Sequence, residues 1–259
     1  MIHPLRVLGF GYVAPYARLI DVQAGVASEP PKLDLSLLER TLRRGLSDVT
    51  RLFMHAAKLA LSDASAAADV EPAEVHVIFA SAFGEIATAE ALLAEAYDAN
   101  SSSPARFRNS VHNTAPGLFS ISNKNHLPCT ALAAGWETAA MGLCEAAAQL
   151  ATGAERVLLV FAEEGVPSAL SVEHEHRPLA AGFVLCRSEV RGPGGRGTLS
   201  LPRRHARSEL PADMSPERDD HPLASVLLLA QMLEQHRSGR LLVSDGDAPW
   251  CIDVEASPS

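Results

Sequence analysis

The sequence predicts an α/β domain built around a sheet that is covered on both faces. Three observations carry this. The stretches VHVIFAS (75–81) and RVLLVFAEE (156–164) are almost wholly apolar, as strands are when neither face of their sheet meets water. A strand, an Ala-rich helical segment (138–152) and another strand follow one another from 129 to 164, and a β-α-β order makes a parallel pair. The chain has 259 residues, 47% of them hydrophobic, enough to bury a full core in one large domain or two small ones.

The elements follow in order. RVLGFGYVAP reads as a strand ending in a glycine turn. Residues 16–45 are mixed, with Pro30 and Pro31 marking a loop. Leu46, Val49, Phe53, Ala56, Ala57 and Ala60 recur at helical spacing, so 46–61 is a helix. Ser47 and Asp48 suit its first turn. After the strand at 75–81 and a Phe83-Gly84 turn, EIATAEALLAEAYDA is a second helix. SSSPARFRNSVHN is polar, with Pro104 expected to break structure, and APGLFSISNKN suggests a short helix. The strand CTALAAG runs straight into helix 138–152, and PLAAGFVLCRSEV gives one more strand. From 191 the texture becomes Gly-, Pro- and charge-rich, the signature of a linker or long surface loop to 221. PLASVLLLAQMLEQHR then gives a helix, and RLLV with WCIDVEA a closing hairpin around SDGDAP.

The bulk numbers exclude some functions. A net charge of −9 argues against nucleic-acid binding and gives no reason to expect a polyanion partner. No run of about 18 apolar residues is present, so no membrane span is expected, and the N-terminus has no secretory signature. Cys129, Cys144, Cys186 and Cys251 lack CxxC spacing. They read as reduced, mostly buried residues of a cytoplasmic protein.

Each candidate for chemistry has a plain structural alternative. His174 and His176 stand in HEH, but no spacing fixes the third ligand that a metal needs. Cys129 starts a strand with no helix N-terminus or cation placed to form a thiolate, and Cys144 lies within a helix. His112-Asn113 fits loop hydrogen bonding. Gly9 and Gly11 form a GxG without the third glycine of a nucleotide fingerprint. Arg40, Arg43 and Arg44 suit a solvated face. The residues alone lead to an α/β domain with a tightly packed strand-helix junction at LPCTALAAGW.

The order of segments resembles the N-terminal half of the β-ketoacyl synthases, condensing enzymes of the thiolase fold. The likeness runs from RVLGFGYVAP through VHVIFASAFGE and is sharpest in SPARFRNSVHNTAPGLFSI. There Ser103, Pro104, Phe107, Ser110 and Asn113 follow the family pattern, and Pro116-Gly117 replaces its usual Ala-Gly. In the family a strand after a Gly-Pro turn ends in Thr-Ala-Cys, whose cysteine carries the acyl group. Counting forward from Pro128 and back from Gly153 by the family's spacings leads to one residue, Trp136. Ala134-Gly135-Trp136 therefore stands where Thr-Ala-Cys is expected, and Cys129 is at the far end of the strand. The second half departs from the family. His221, in DDHPLAS, loosely matches one family histidine but lacks its glycines, and the second histidine turn is not recognisable.

The resemblance implies a thiolase-like fold whose N-terminal half (1–190) is complete. A loop or linker (191–221) follows, and then a strongly reduced C-terminal half (222–259) packing on the same domain. It implies no catalytic residue and no cofactor or metal. The expected role is that of a chain length factor: a silent relative paired with an active β-ketoacyl synthase and shaping its acyl tunnel. The branch most resembled occurs with aryl polyene and xanthomonadin-type pigment machinery. Ala131, Ala133 and Ala134 would line the subunit interface, and Arg106, Phe107 and Val111 would stand near the end of the acyl chain. Trp136 would either plug the vacated acyl pocket or pack in the core. An acyl carrier protein would be met indirectly, although Arg203, Arg204 and Arg207 are basic enough to touch one. Two alternatives stand: a homodimeric acyl-binding or scaffold protein, and a small acyltransferase using Cys129 or Cys144.

Overall fold

Three glycines decide how the first long helix meets the sheet. In the computed structural model, which describes residues 3–14, 32–99, 103–170, 177–189, 194–210, 221–245 and 248–258, strand β1 is Leu5–Val13 and helix α1 is Asp48–Ala68. A Cβ on Gly9 would stand 2.2 Å from the Ala64 nitrogen, and one on Gly11 2.2 Å from Leu59 Cβ. Gly182, on β5 (Leu179–Arg187), lies beside Gly11 in the ladder, and its Cβ would come 2.7 Å from the Ala56 carbonyl oxygen. Helix α1 therefore lies in a channel floored by glycine. The GxG of the sequence serves this close approach.

Among the described residues nine strands form one sheet. The others are β2 (His76–Ala80), β3 (Cys129–Leu132), β4 (Val157–Glu163), β6 (Gly197–Leu199), β7 (Arg203–Arg204), β8 (Gly239–Ser244) and β9 (Trp250–Ala256). Their order is β3-β2-β4-β5-β1-β6-β9-β7, with β8 also on β9. Strand β2 pairs in parallel with both β3 and β4. The β-α-β unit read from the sequence is thus a crossover that skips one strand. From β4 onward the pairings are antiparallel.

Alternation along the strands splits the core into two layers. Val77, Phe79, Leu158 and Val160 face α1 and α4 (Thr114–Asn123), where Phe53 meets Phe79 edge-to-face at 5.2 Å. Ile78, Ala80, Leu159 and Phe161 face α5 (Thr138–Ala151) and α6 (Ala224–Glu234). Both faces are covered, as the apolar strands predicted. Ser47 caps α1, its hydroxyl accepting the Thr50 N–H at 3.1 Å.

Two expectations need correcting. Pro104 starts a helix rather than breaking one: α3 is Pro104–Arg108, with Ser103 as N-cap and the proline in the first turn, where its missing N–H costs nothing. The stretch 191–221 is more than a loop. Strand β6 bridges β1 and β9, β7 pairs β9, and Arg196 forms a two-bonded ion pair with Asp63 on α1. Pairing supplied by distant strands outweighs the local Gly and charge content there. The terminal hairpin β8–β9 joins the same sheet.

Candidate functional site

In open α/β sheets, sites form beyond the carboxyl ends of parallel strands. Here those ends belong to β2, β3 and β4. Among the described residues strand β3 lies at a margin of the sheet and pairs with β2 alone. Beyond it the chain passes Ala133 and Ala134 to Gly135, at φ +53°, then makes a single 3-10 turn (Gly135–Glu137) into α5. Thr138 fixes this corner. It is buried, its hydroxyl donates to the Gly135 carbonyl at 2.7 Å, and its oxygen accepts the Ala134 N–H at 3.1 Å. Glu137 meets Arg204 at 3.5 Å, and the Arg204 guanidinium lies 4.8 Å above the Trp250 ring. The C-terminal strands thereby reach the junction.

Trp136 projects from this turn and is 55% exposed. Its reading as a core residue does not hold, because a one-turn 3-10 element on a marginal strand offers no interior to fill. Ala133 is also exposed, while Ala131 and Ala134 are partly covered. The segment expected near an acyl chain, 106–111, leads into His112, which reaches the end of β3. Phe107 is 63% and Val111 48% exposed, and Arg106 is tied by an ion pair to Glu95 on α2 (Ile86–Ala99). His112 is half-buried and holds the Leu132 carbonyl at 3.1 Å, its ring lying against Phe79. It fixes the end of β3 in place, and burial pushes its proton affinity down.

Neither half-buried thiol is poised for attack. Cys129 stands at the opposite end of β3 from Trp136, Cys144 lies on α5, and burial pushes both thiols up, away from thiolate. His221 spends its ring on the backbone: its Nε2 meets the Arg177 carbonyl at 2.9 Å, and its Nδ1 accepts the Leu223 N–H at 3.0 Å. Arg43 binds the Leu38 carbonyl, and Arg207 pairs with Asp245. His174 and His176 lie outside the described residues, among which no His/Cys/Asp/Glu group has the arrangement of a metal site.

Sequence reasoning missed three carboxyl groups around the loop between β2 and α2. Glu85, Glu163 and Glu164 are all buried. Their signal was the two glutamates that end an otherwise apolar strand in VFAEE, where a carboxylate needs a buried partner to be tolerated.

Residues 20–251 match the profile of the β-ketoacyl synthase N-terminal domain. The chain belongs to that family. Among curated proteins none matches. Of solved structures, a ketosynthase in complex with its chain length factor from Xenorhabdus doucetiae aligns with a TM-score of 0.70 at 21% identity, over 96% of this chain and 99% of the other. The ishigamide ketosynthase/chain length factor gives 0.70 at 16%, over 97% and 98%. A β-ketoacyl synthase from Burkholderia phymatum gives 0.62 at 15%, over 89% of this chain and 69% of the other. The fold of this β-ketoacyl synthase family chain is thus the thiolase-like one that its segment order implied. None of its described helices is long and apolar enough to cross a membrane.

Proposed function

We propose that this chain is a catalytically silent, chain length factor-like subunit that pairs with an active β-ketoacyl synthase of type II fatty acid or polyketide assembly and shapes its acyl tunnel. The observation that carries the reading is Trp136: an indole, with no nucleophilic atom, occupies the strand-helix corner at the end of β3. Decarboxylative condensation needs a thiolate to hold the acyl group. Burial moves Cys129 and Cys144 in the wrong direction for that role, which also weighs against the acyltransferase alternative.

Exposed apolar groups near β3 support a partner. Ile121 on α4, which packs on β3, Leu127 just before β3 and Trp136 just after it are all exposed, as are Phe107 and Val111 in the segment that leads to His112. Soluble chains rarely leave such apolar groups together without use. The open flank of β3 carries small side chains, which let a second strand or subunit approach closely. Two of the aligned structures match over nearly the whole of both chains, and each includes a chain length factor in its complex. The pathway, aryl polyene or a related pigment, follows from the resemblance in the SVHN and TALAAG segments.

Co-expression with each ketosynthase encoded nearby, with a tag on this chain alone, tests the reading. A one-to-one complex is expected. A stable homodimer that takes up no ketosynthase would overturn it in favour of an acyl-binding or scaffold protein.

A further inference from the structure

Strand β1 loses its outer neighbour part-way along. Strand β6 pairs with it only over Leu5–Val7, and the Arg196 N–H closes that ladder on the Val7 carbonyl at 2.8 Å. Among the described residues no strand continues the pairing beyond this point. Phe10 gives its N–H to the Asp63 carboxylate at 3.0 Å. Alternation then turns the backbone groups of Gly11 toward β5 and those of Tyr12 outward. No hydrogen bond from another segment meets Tyr12 there among the described residues.

A cavity of about 680 Å³ opens along this edge, lined without a break by residues 10–14. Helix α1 forms one wall with Leu59, and the end of α6 forms the other with Leu233 and Glu234. Arg196, bonded to Asp63, closes the end next to β6. A row of open main-chain groups between two side walls is the setting for an added strand.

The two faces of β1 set what the walls ask of such a strand. A residue opposite Gly11 points to the face where Leu59 covers that glycine, and meets an apolar side chain. A residue opposite Tyr12 points to the other face, where the Tyr12 hydroxyl donates to Glu234 Oε2 at 2.7 Å. Glu234 is the last residue of α6, so the helix dipole adds to its negative potential. Asp63 and Arg196 offset each other. His55 stays neutral, since burial lowers its proton affinity and its Nδ1 accepts the Asp34 N–H at 2.8 Å. The Glu234 carboxylate is thus left without a cation among the described residues.

We propose that the open edge of β1, from Phe10 to Ala14, accepts a short strand of another protein, in which a lysine or arginine opposite Tyr12 stands between apolar residues. The added strand runs antiparallel to β1, as β5 and β6 do. The backbone of its basic residue exchanges two hydrogen bonds with Tyr12, the cation meets Glu234, and the flanking residues pack toward α1. Strand β1 lies four places from β3 in the sheet. The site is therefore separate from the margin assigned above to a ketosynthase, and it does not rest on that reading.

Fluorescence anisotropy on the full chain tests this with three labelled, end-capped heptapeptides of alternating valine and lysine. One is unmodified, one is N-methylated on its lysine amides and one on its valine amides. In the proposed pairing the lysine amides face β1 and the valine amides face away. The unmodified peptide is expected to bind with a Kd below about 100 μM. The valine-methylated peptide should bind within about threefold of it, and the lysine-methylated one at least about tenfold more weakly. All three carry the same charge, so general attraction to an acidic chain cannot produce this order. Glu234→Gln changes an exposed side chain and should weaken the unmodified peptide about threefold. No binding of that peptide at about 1 mM would overturn the proposal, whether the edge stays empty or is taken by a second copy of the chain. Equal losses from the two methylation patterns, or an affinity indifferent to Glu234→Gln, would overturn it as well.

Discussion

Two neighbouring residues at the junction have opposite physical characters. Trp136 is large but more than half exposed, whereas Thr138 is small and wholly buried with both hydrogen-bonding capacities of its hydroxyl in use. Trp136→Ala is therefore expected to change unfolding free energy by less than about 1 kcal/mol, against about 3–5 for a buried tryptophan. Thr138→Val keeps the volume but leaves the Ala134 N–H and the Gly135 carbonyl without their partner, and is expected to cost about 1–3 kcal/mol. Urea unfolding of the two variants checks both figures. A large cost at Trp136 would return it to the core. Phe107 belongs to the same scale. Its ring is mostly exposed on α3, so removing it should leave the fold intact. If the ring limits a partner's acyl chain, Phe107→Ala lengthens the product of the complex by whole extension units. Mass spectrometry of the products reads this directly, and an unchanged distribution would exclude Phe107 as the stop.

The elements were legible in the sequence in proportion to how local their causes are. Strands β2, β4 and β5 could be read because burial on both faces demands continuous apolar runs. Helix α1 could be read from its spacing and its Ser47 cap. Strand β6 could not: Gly197–Leu199 owes its conformation to β1 and β9, which lie far away in sequence. Pro104 misled because one residue breaks a helix from inside and begins one at its first turn, a distinction of position rather than of composition. At the site, the corner at Trp136 was found by counting, whereas Glu163 and Glu164 were missed because their partners are backbone N–H groups contributed by three other segments. The glycine channel gives the prediction at this scale. Gly11→Ala places a methyl group 2.2 Å from Leu59 Cβ, so α1 must lift from β1 and β5. The expected cost is about 1–3 kcal/mol. The same substitution at Gly117, where a Cβ meets nothing within 4 Å, should stabilise slightly, since it lies inside α4. Thermal unfolding of the pair separates a packing requirement from a general intolerance of glycine replacement.

At the scale of the whole molecule, buried charge and open surface set how stability and assembly respond to conditions. Glu85 and Glu163 are pushed from an ordinary 4.5 to about 7 in the folded chain. Between those limits the native state binds more protons than the unfolded one, so stability falls as pH rises through that window, and the penalty is complete above it. Each group contributes on the order of 3 kcal/mol at most, because water entry relieves part of the strain. Denaturant midpoints at about pH 5 and about pH 8 should differ in that direction, and a midpoint rising with pH would contradict it. Assembly depends on a different surface. Strand β3 is the sheet's open margin, and Ala133, just beyond it, is exposed in the free chain. A charge there has solvent to occupy in the monomer but meets apolar contact in any complex that covers β3. Ala133→Arg should thus leave the melting temperature of the isolated chain within about 2 °C of its original value, as surface substitutions do. It should also weaken association with a ketosynthase at least about 100-fold, as a buried unpaired charge would. Sedimentation of the co-expressed pair measures this. Full association by the variant would mean that the complex is built on another face, and that the apolar groups around β3 serve some other contact.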